Sequence, residues 1–203
     1  VSENESKYVV VAYVTSWGES TPDPACLTHI NYAFGHVTDN FKGIRIDNEP
    51  RLQMVVGLRE KKPSLKVLLS VGGWGSSRFS EMAQTDSTRM AFAADCKRVI
   101  DQFDLDGIDI DWEYPGIGTA GVSFSPEDTD NFSLLMKDIR YAIGKDKLLT
   151  IATQAGAKYY NLKAVEPYVD YVNIMTYDME ESPNHHSALY LSLIHISEPT
   201  RPY

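Results

Sequence analysis

The sequence has little cysteine, no long apolar run and no surplus of positive charge, and each shortage closes off a class of function. Its two cysteines, Cys26 and Cys96, have no metal-ligand spacing and stand beside no nucleophile motif, so a zinc site and thiol catalysis drop out. Both read as small buried hydrophobes, with a disulfide allowed but not deducible. No stretch approaches the roughly 20 apolar residues that cross a bilayer. Lys and Arg number 19 against 28 Asp and Glu, giving a net charge of -9 and a pI near 5.0. Such a chain lacks the basic surface that nucleic acid or an anionic membrane requires, while a neutral polymer such as a polysaccharide is not opposed. The first residue is Val1, so the natural N-terminus is expected to lie outside the sequence, and a secretion signal cannot be read from it.

What the chain does contain is acid set into a strand. Residues 106–116 read DGIDIDWEYPG, with Asp109, Asp111 and Glu113 at alternate positions. Strand side chains alternate between faces, so these three point one way and Ile108, Ile110 and Trp112 the other. Like charges this close repel, which places them around a cavity or a ligand. A calcium loop needs polar, turn-forming spacers, whereas Ile and Trp form strands, so the acid-base reading is preferred. Crowding raises the pKa of the carboxyl nearest the cavity and keeps it ready to donate a proton; Glu113, last on the strand and longest, is the candidate. Asp106, on the other parity, reads as structural.

Around this strand the chain alternates strand and helix. Strands are predicted at residues 8–15, 28–37, 65–71, 148–154 and 171–177, besides the acidic one. The first reads as a parallel strand covered on both faces. In the second, Asn31, Ala33 and Gly35 oppose Tyr32, Phe34 and His36, the small face leaving room inside a narrow barrel. A helix follows Pro50 with Leu52, Val55 and Val56 on one side. The next is capped by Thr85 or Asp86 and buries Phe92, Cys96, Val99 and Phe103. Another has Ser125 as N-cap, Phe132, Leu135, Ile139 and Ala142 inside, and Gly144 as C-cap. A short one spans residues 162–165. His29 and His36 read as structural. The pattern is α/β, a (β/α)8 TIM barrel that is incomplete, with six of eight strands present, since such barrels typically need about 250 residues.

Three motifs carry a family resemblance. DGIDIDWEYPG, Ser70-Val71-Gly72-Gly73-Trp74 after the third strand, and Met175-Thr176-Tyr177-Asp178-Met179 after the sixth resemble the signatures of the family 18 glycoside hydrolases, the chitinases. The resemblance implies cleavage of β-1,4-linked N-acetylglucosamine in chitin or its oligosaccharides, retaining and assisted by the substrate's own acetamido group. It makes Glu113 the general acid and Asp111 the group that orients the acetamido, with Asp109 supporting Asp111 through shared protons and charge. Tyr177 would hydrogen-bond the acetamido carbonyl and Asp178 would grip the same sugar. Tyr13, Trp17 and Phe34 match cleft aromatics, Gly73 and Trp74 form a turn with a flat plate for a sugar ring, and Tyr114, Gln154 and Met175 complete the rim. No metal and no cofactor is implied, and a secreted or periplasmic location is. Two rivals stay open: an endo-β-N-acetylglucosaminidase on the same acid strand, and a chitin-binding lectin on the same barrel, a class that lacks the acid present here as Glu113.

Two stretches are set aside. Gly116, Gly118 and Gly121 spell a dinucleotide fingerprint, but a pyrophosphate there would face Asp111 and Glu113, and no helix opens on the glycines. His185 and His186 read equally as groove or solvated loop. Residues 191–201, LSLIHISEPTR, resemble the in-frame translation of a sequencing-library adapter. The expected division is therefore a partial catalytic domain over 1–190 and a non-native tail over 191–203, in which His195 and Glu198 carry no function.

Overall fold

The computed structural model describes residues 8–177. In chain order the elements are β1 (Val11–Thr15), β2 (His29–Val37), β3 (Ile44–Ile46), α1 (Glu49–Val56), β4 (Lys66–Gly72), α2 (Phe79–Gln84), α3 (Asp86–Phe103), β5 (Gly107–Asp111), α4 (Asp128–Ile143), β6 (Leu148–Gln154), α5 (Leu162–Val165) and β7 (Tyr171–Met175). The main sheet runs β1-β2-β4-β5-β6-β7 with every neighbour parallel, and β3 adds antiparallel to β2. Each parallel strand lies beside its predecessor, the order of a barrel rather than of a doubly wound sheet.

One bond shows that the sheet is curled. In a flat sheet β1 and β5 would lie three strand spacings, roughly 14 Å, apart. Yet the Tyr13 hydroxyl on β1 donates to Asp109 Oδ2 on β5 at 2.8 Å. The fold is therefore an incomplete barrel, as the alternation predicts.

The sheet separates two cores. Outward, Leu69, Val71, Ile108, Ile110, Leu149 and Ile151 have no exposure and meet Phe92, Val99, Phe132, Leu135 and Ile139 of the helices. Trp112 sits among them, stacked on Phe79 at 5.3 Å and tilted against Phe132 at 6.0 Å. Inward the same strands are polar: one register layer reads Thr15, Ala33, Ser70, Asp109, Thr150 and Tyr171 across the six parallel strands. Asp106 serves the bottom of the barrel, accepting from the Val67 amide at 2.8 Å and from Arg59.

Several expectations shift. β3 and α2 have too few residues for a periodicity to show, three and six. Strand one is not covered on both faces: Val9 and Tyr13 are exposed, because among the described residues β1 has no neighbour on its outer side. Tyr32 does not share a face with Phe34 and His36, whose rings lie 6.4 Å apart. A register shift between Ala33 and Gly35, at a cis Ala33–Phe34 peptide, breaks the alternation, so Tyr32 is buried outward with its hydroxyl on the carbonyls of Asp47 and Asn48, while Phe34 turns to the barrel mouth. Cys26 is exposed at the end of a single 3-10 turn, where Cys96 is buried as expected. No helix opens on the glycines at 116, 118 and 121, which lead only into a 3-10 turn.

Ser125 is not the cap of α4. The helix starts at Asp128, whose unexposed carboxylate accepts from the amides of Ser125 (2.9 Å) and Gly116 (3.2 Å) and from the Ser80 hydroxyl (2.8 Å). One side chain thus fastens the loop after the acidic strand to two helices. Asp128→Ala leaves the buried Ser80 hydroxyl and two half-buried amides without this partner and is expected to destabilise the fold by about 3 kcal/mol, at roughly 1–3 kcal/mol per orphaned group. A urea denaturation midpoint unchanged from wild type would contradict this role.

Candidate active site

The barrel mouth is built around the end of β5. Asp109, Asp111 and Glu113 are 0%, 5% and 8% exposed, so acid rises step by step from the core to the surface, and Glu113 lies nearest solvent. Asp109 is saturated: Tyr13 and Ser70 donate to Oδ2 at 2.8 Å each, Thr150 donates to Oδ1 at 2.6 Å, and the Asn173 amide reaches Oδ1 at 3.2 Å. Burial still pushes its pKa up against those four hydrogen bonds.

Asp111 is the more perturbed group. Its pKa is raised well above the ordinary range, first by burial, then by the charges of Glu113 and Asp109, and by a hydrogen bond to Glu113. Its Oδ1 has no hydrogen-bond partner among the described residues. Among the described residues Asp111 is therefore hydrogen-bonded upward to Glu113, and Asp109 acts on it through charge rather than through a shared hydrogen bond. Two carboxyls in contact and nearly buried hold a proton between them, because ionising both would set two charges side by side out of water.

The turn after β4 lets the backbone come close. A Cβ on Gly72, where φ is +130°, would lie 1.9 Å from the Asp111 carbonyl oxygen, and one on Gly73 would lie 2.7 Å from the Phe34 ring. The Gly73 amide donates to that same Asp111 carbonyl at 2.9 Å. The pair of glycines is what allows β4 to close on the acid strand while Phe34 packs behind it.

Above the acids lies a cleft of ≈ 780 Å³ lined by Phe34, Trp74, Asp111, Glu113, Tyr114, Gln154, Ala155, Met175 and Tyr177. A second cavity of ≈ 320 Å³ takes in Tyr13, Thr15, Trp17, Ala152 and Asn173 and shares Phe34, Asp111, Met175 and Tyr177 with the first. The two form one groove passing over Asp111. Its rim is aromatic, with Trp17 6.2 Å from Phe34 and Trp74 6.5 Å from Tyr114. Every described site residue expected from the sequence lies at this mouth, with Asp109 beneath it and Gly73 behind Phe34; Asp178, His185 and His186 lie outside the described residues.

Some participants are not singled out by the sequence reading. Ser70, Thr150 and Asn173 bind Asp109, and their signal is a polar residue at inward parity in an otherwise apolar strand. His36 is hydrogen-bonded to Ser76 Oγ through Nδ1 and to Asp47 Oδ2 through Nε2, both at 2.8 Å. This resembles a nucleophile relay, but the Ser76 amide is spent on the Gly73 carbonyl; the unit ties the Trp74 turn to β2.

Acid at the mouth of a parallel barrel, beneath aromatic plates in an open groove, defines a protein of the glycoside hydrolase class. The chain belongs to glycosyl hydrolases family 18, whose family model matches residues 9–199. It is 32% identical to Chitinase A1 of Niallia circulans, over 87% of this chain and 35% of that protein. Among solved structures it matches the chitinase domain of a Clostridium difficile spore coat protein with a TM-score of 0.84 and 33% identity, over 97% of this chain and 60% of that one. It also matches a family 18 N-acetylglucosaminidase of Paenibacillus barengoltzii at 0.81 and 38%, over 92% and 59%. The chain thus spans well under half the length of the relatives it matches by sequence.

A carboxyl whose pKa folding has raised holds its proton more tightly in the folded state. The fold is then favoured at low pH and loses stability as pH climbs from the ordinary aspartate value through the raised one. Asp111→Asn removes that cost. It is expected to raise the Tm near pH 7 and to lose most of the gain near pH 3, where wild-type Asp111 is largely protonated in folded and unfolded chains alike. An equal gain at both pH values would refute the assignment.

Proposed function

We propose that this chain is the acid-bearing part of a chitinase-like hydrolase that cleaves β-1,4-linked N-acetylglucosamine with retention and with the help of the substrate's acetamido group. The observation that carries the reading is the hydrogen-bonded Asp111–Glu113 pair under an aromatic groove. Glu113 gives its proton to the glycosidic oxygen as the bond to the anomeric carbon breaks, and the acetamido carbonyl oxygen closes onto that carbon from the other side. Asp111 takes the acetamido N–H in a hydrogen bond and balances the charge that develops on the ring. Tyr177 donates to the acetamido carbonyl, and Asp178 grips the same sugar. Water then opens the cyclic intermediate, returning a proton to Glu113. Side chains, substrate and water balance every step.

The groove favours a linear polymer. It continues on both sides of Asp111, toward Trp17 and toward Trp74, and flat rings on each side can stack on successive sugars. Secretion or a periplasmic location belongs to this reading, since a chitin chain is met outside the cytoplasm. An endo-β-N-acetylglucosaminidase would use the same acids and differs in which substrate the groove admits; a lectin would bind without turnover.

The test uses a form of the protein that includes the rest of the barrel. With fluorogenic chitobioside and chitotrioside, Glu113→Gln is expected to lose about 10²–10⁴-fold in kcat, the usual worth of a general acid, while binding is retained. Binding without turnover in the wild type would remove the enzyme reading in favour of the lectin.

A further inference from the structure

Glu113 stands one residue beyond Trp112 and one before Tyr114, past the end of β5, where no strand pairing holds its backbone. Something else must fix the peptide planes from which its side chain springs. The Trp112 carbonyl belongs to the same peptide unit as the Glu113 amide, and it accepts a hydrogen bond from the Tyr160 hydroxyl at 2.7 Å in a buried setting. The Glu113 carbonyl, in the next peptide unit, accepts from the Thr119 hydroxyl at 3.3 Å. Both planes flanking the acid are therefore pinned by hydroxyls from outside the acidic strand. The following side chain is held as well: the Tyr114 ring stacks on Tyr159 at 5.0 Å with 22° between planes.

We propose that Tyr160, assisted by Thr119 and Tyr159, is a positioning residue that sets the aim of Glu113 through the backbone on either side of it. The inference rests on Glu113 being the acid. Tyr160 suits the task because it is itself immobile: its ring packs edge-on against Phe132 at 5.0 Å, and Phe132 packs against Trp112. Burial, with the acids nearby, holds its hydroxyl pKa above the ordinary tyrosine value, so it remains a donor at every working pH. Thr129 adds a tie from α4, donating to the Tyr159 carbonyl at 3.1 Å. The segment after β6 thus reads the position of α4 and passes it to the acid.

A misaimed acid costs turnover more than binding, since the aromatic groove is untouched; a displacement of about 1 Å can lower rates as much as 10²-fold. In a form of the protein that includes the rest of the barrel, Tyr160→Phe keeps the ring and loses the hydroxyl, and is expected to lower kcat about tenfold or more with little change in KM. Thr119→Val, in the 3-10 turn after the acidic strand, is expected to act the same way more weakly, and Tyr159→Phe to restore most of what Tyr159→Ala loses. Active-site titration corrects each rate for folded protein, so a role in stability alone would lower Tm and leave the corrected kcat unchanged, which would overturn the proposal. Glu113→Gln runs alongside. If it abolishes turnover while Tyr160→Phe and Thr119→Val keep wild-type kcat, the positioning role fails alone; if Glu113→Gln retains turnover, the acid reading fails and takes this inference with it.

Discussion

A carboxylate with no solvent exposure at the centre of a parallel sheet has to be bonded by what surrounds it, and Asp109 is bonded by side chains from β1, β4, β6 and β7. Hydrogen bonds to a charged group contribute about 1.5–3 kcal/mol each, against a desolvation cost of several kcal/mol for the ion. Burial wins that contest, since the pKa is raised in spite of four donors. The donors come from four strands, so the bonds can form only when the sheet is curled to one curvature. Asp109 is in this sense the axle of the half-barrel, and the apolar outer core closes around a sheet whose curvature its inner face has set.

The gradient along β5 follows from that anchor. With Asp109 satisfied from the sides, it has no remaining bond to offer upward, and its charge acts on Asp111 as a like neighbour. Among the described residues Asp111 in turn is hydrogen-bonded to Glu113, and burial beside that carboxyl pushes the Asp111 pKa well above the ordinary range. On the proposed reading, a strand of alternating acid and apolar residues thus converts burial at its foot into available acid at its tip. The same alternation, read on its other face, supplies Ile108, Ile110 and Trp112 to the outer core, so stability and chemistry are carried by opposite sides of one short strand.

How much of this the sequence discloses depends on range. The parity of Asp109, Asp111 and Glu113, the paired glycines before Trp74 and the strand-helix alternation are local patterns, and each appears in the structure where the sequence places it. What it conceals is set by contacts far apart in the chain. Tyr13 reads as a cleft aromatic, yet its hydroxyl is spent on a carboxylate 96 residues away. Phe34 and Tyr32 read as sharing a face until a register shift against β4 separates them. Ser125 has the residue type of a helix cap, but the buried Asp128 takes over the loop amides and delays the helix. In each case a partner that no local window contains decides the outcome.

The edges of the described sheet complete the argument. β1 and β7 each have a neighbour on one side only, and Tyr13 and Ile174 on them stay exposed, although Tyr13 already reaches the barrel centre. Closing strands therefore would not create the curvature; they would cover a face whose shape Asp109 has fixed. The acid pair, its pinned peptides and both cavities are assembled within residues 13–177. What the remaining wall of a barrel would add is the exclusion of water above that pair, and a hydrogen-bonded pair of nearly buried carboxyls has most to gain from it.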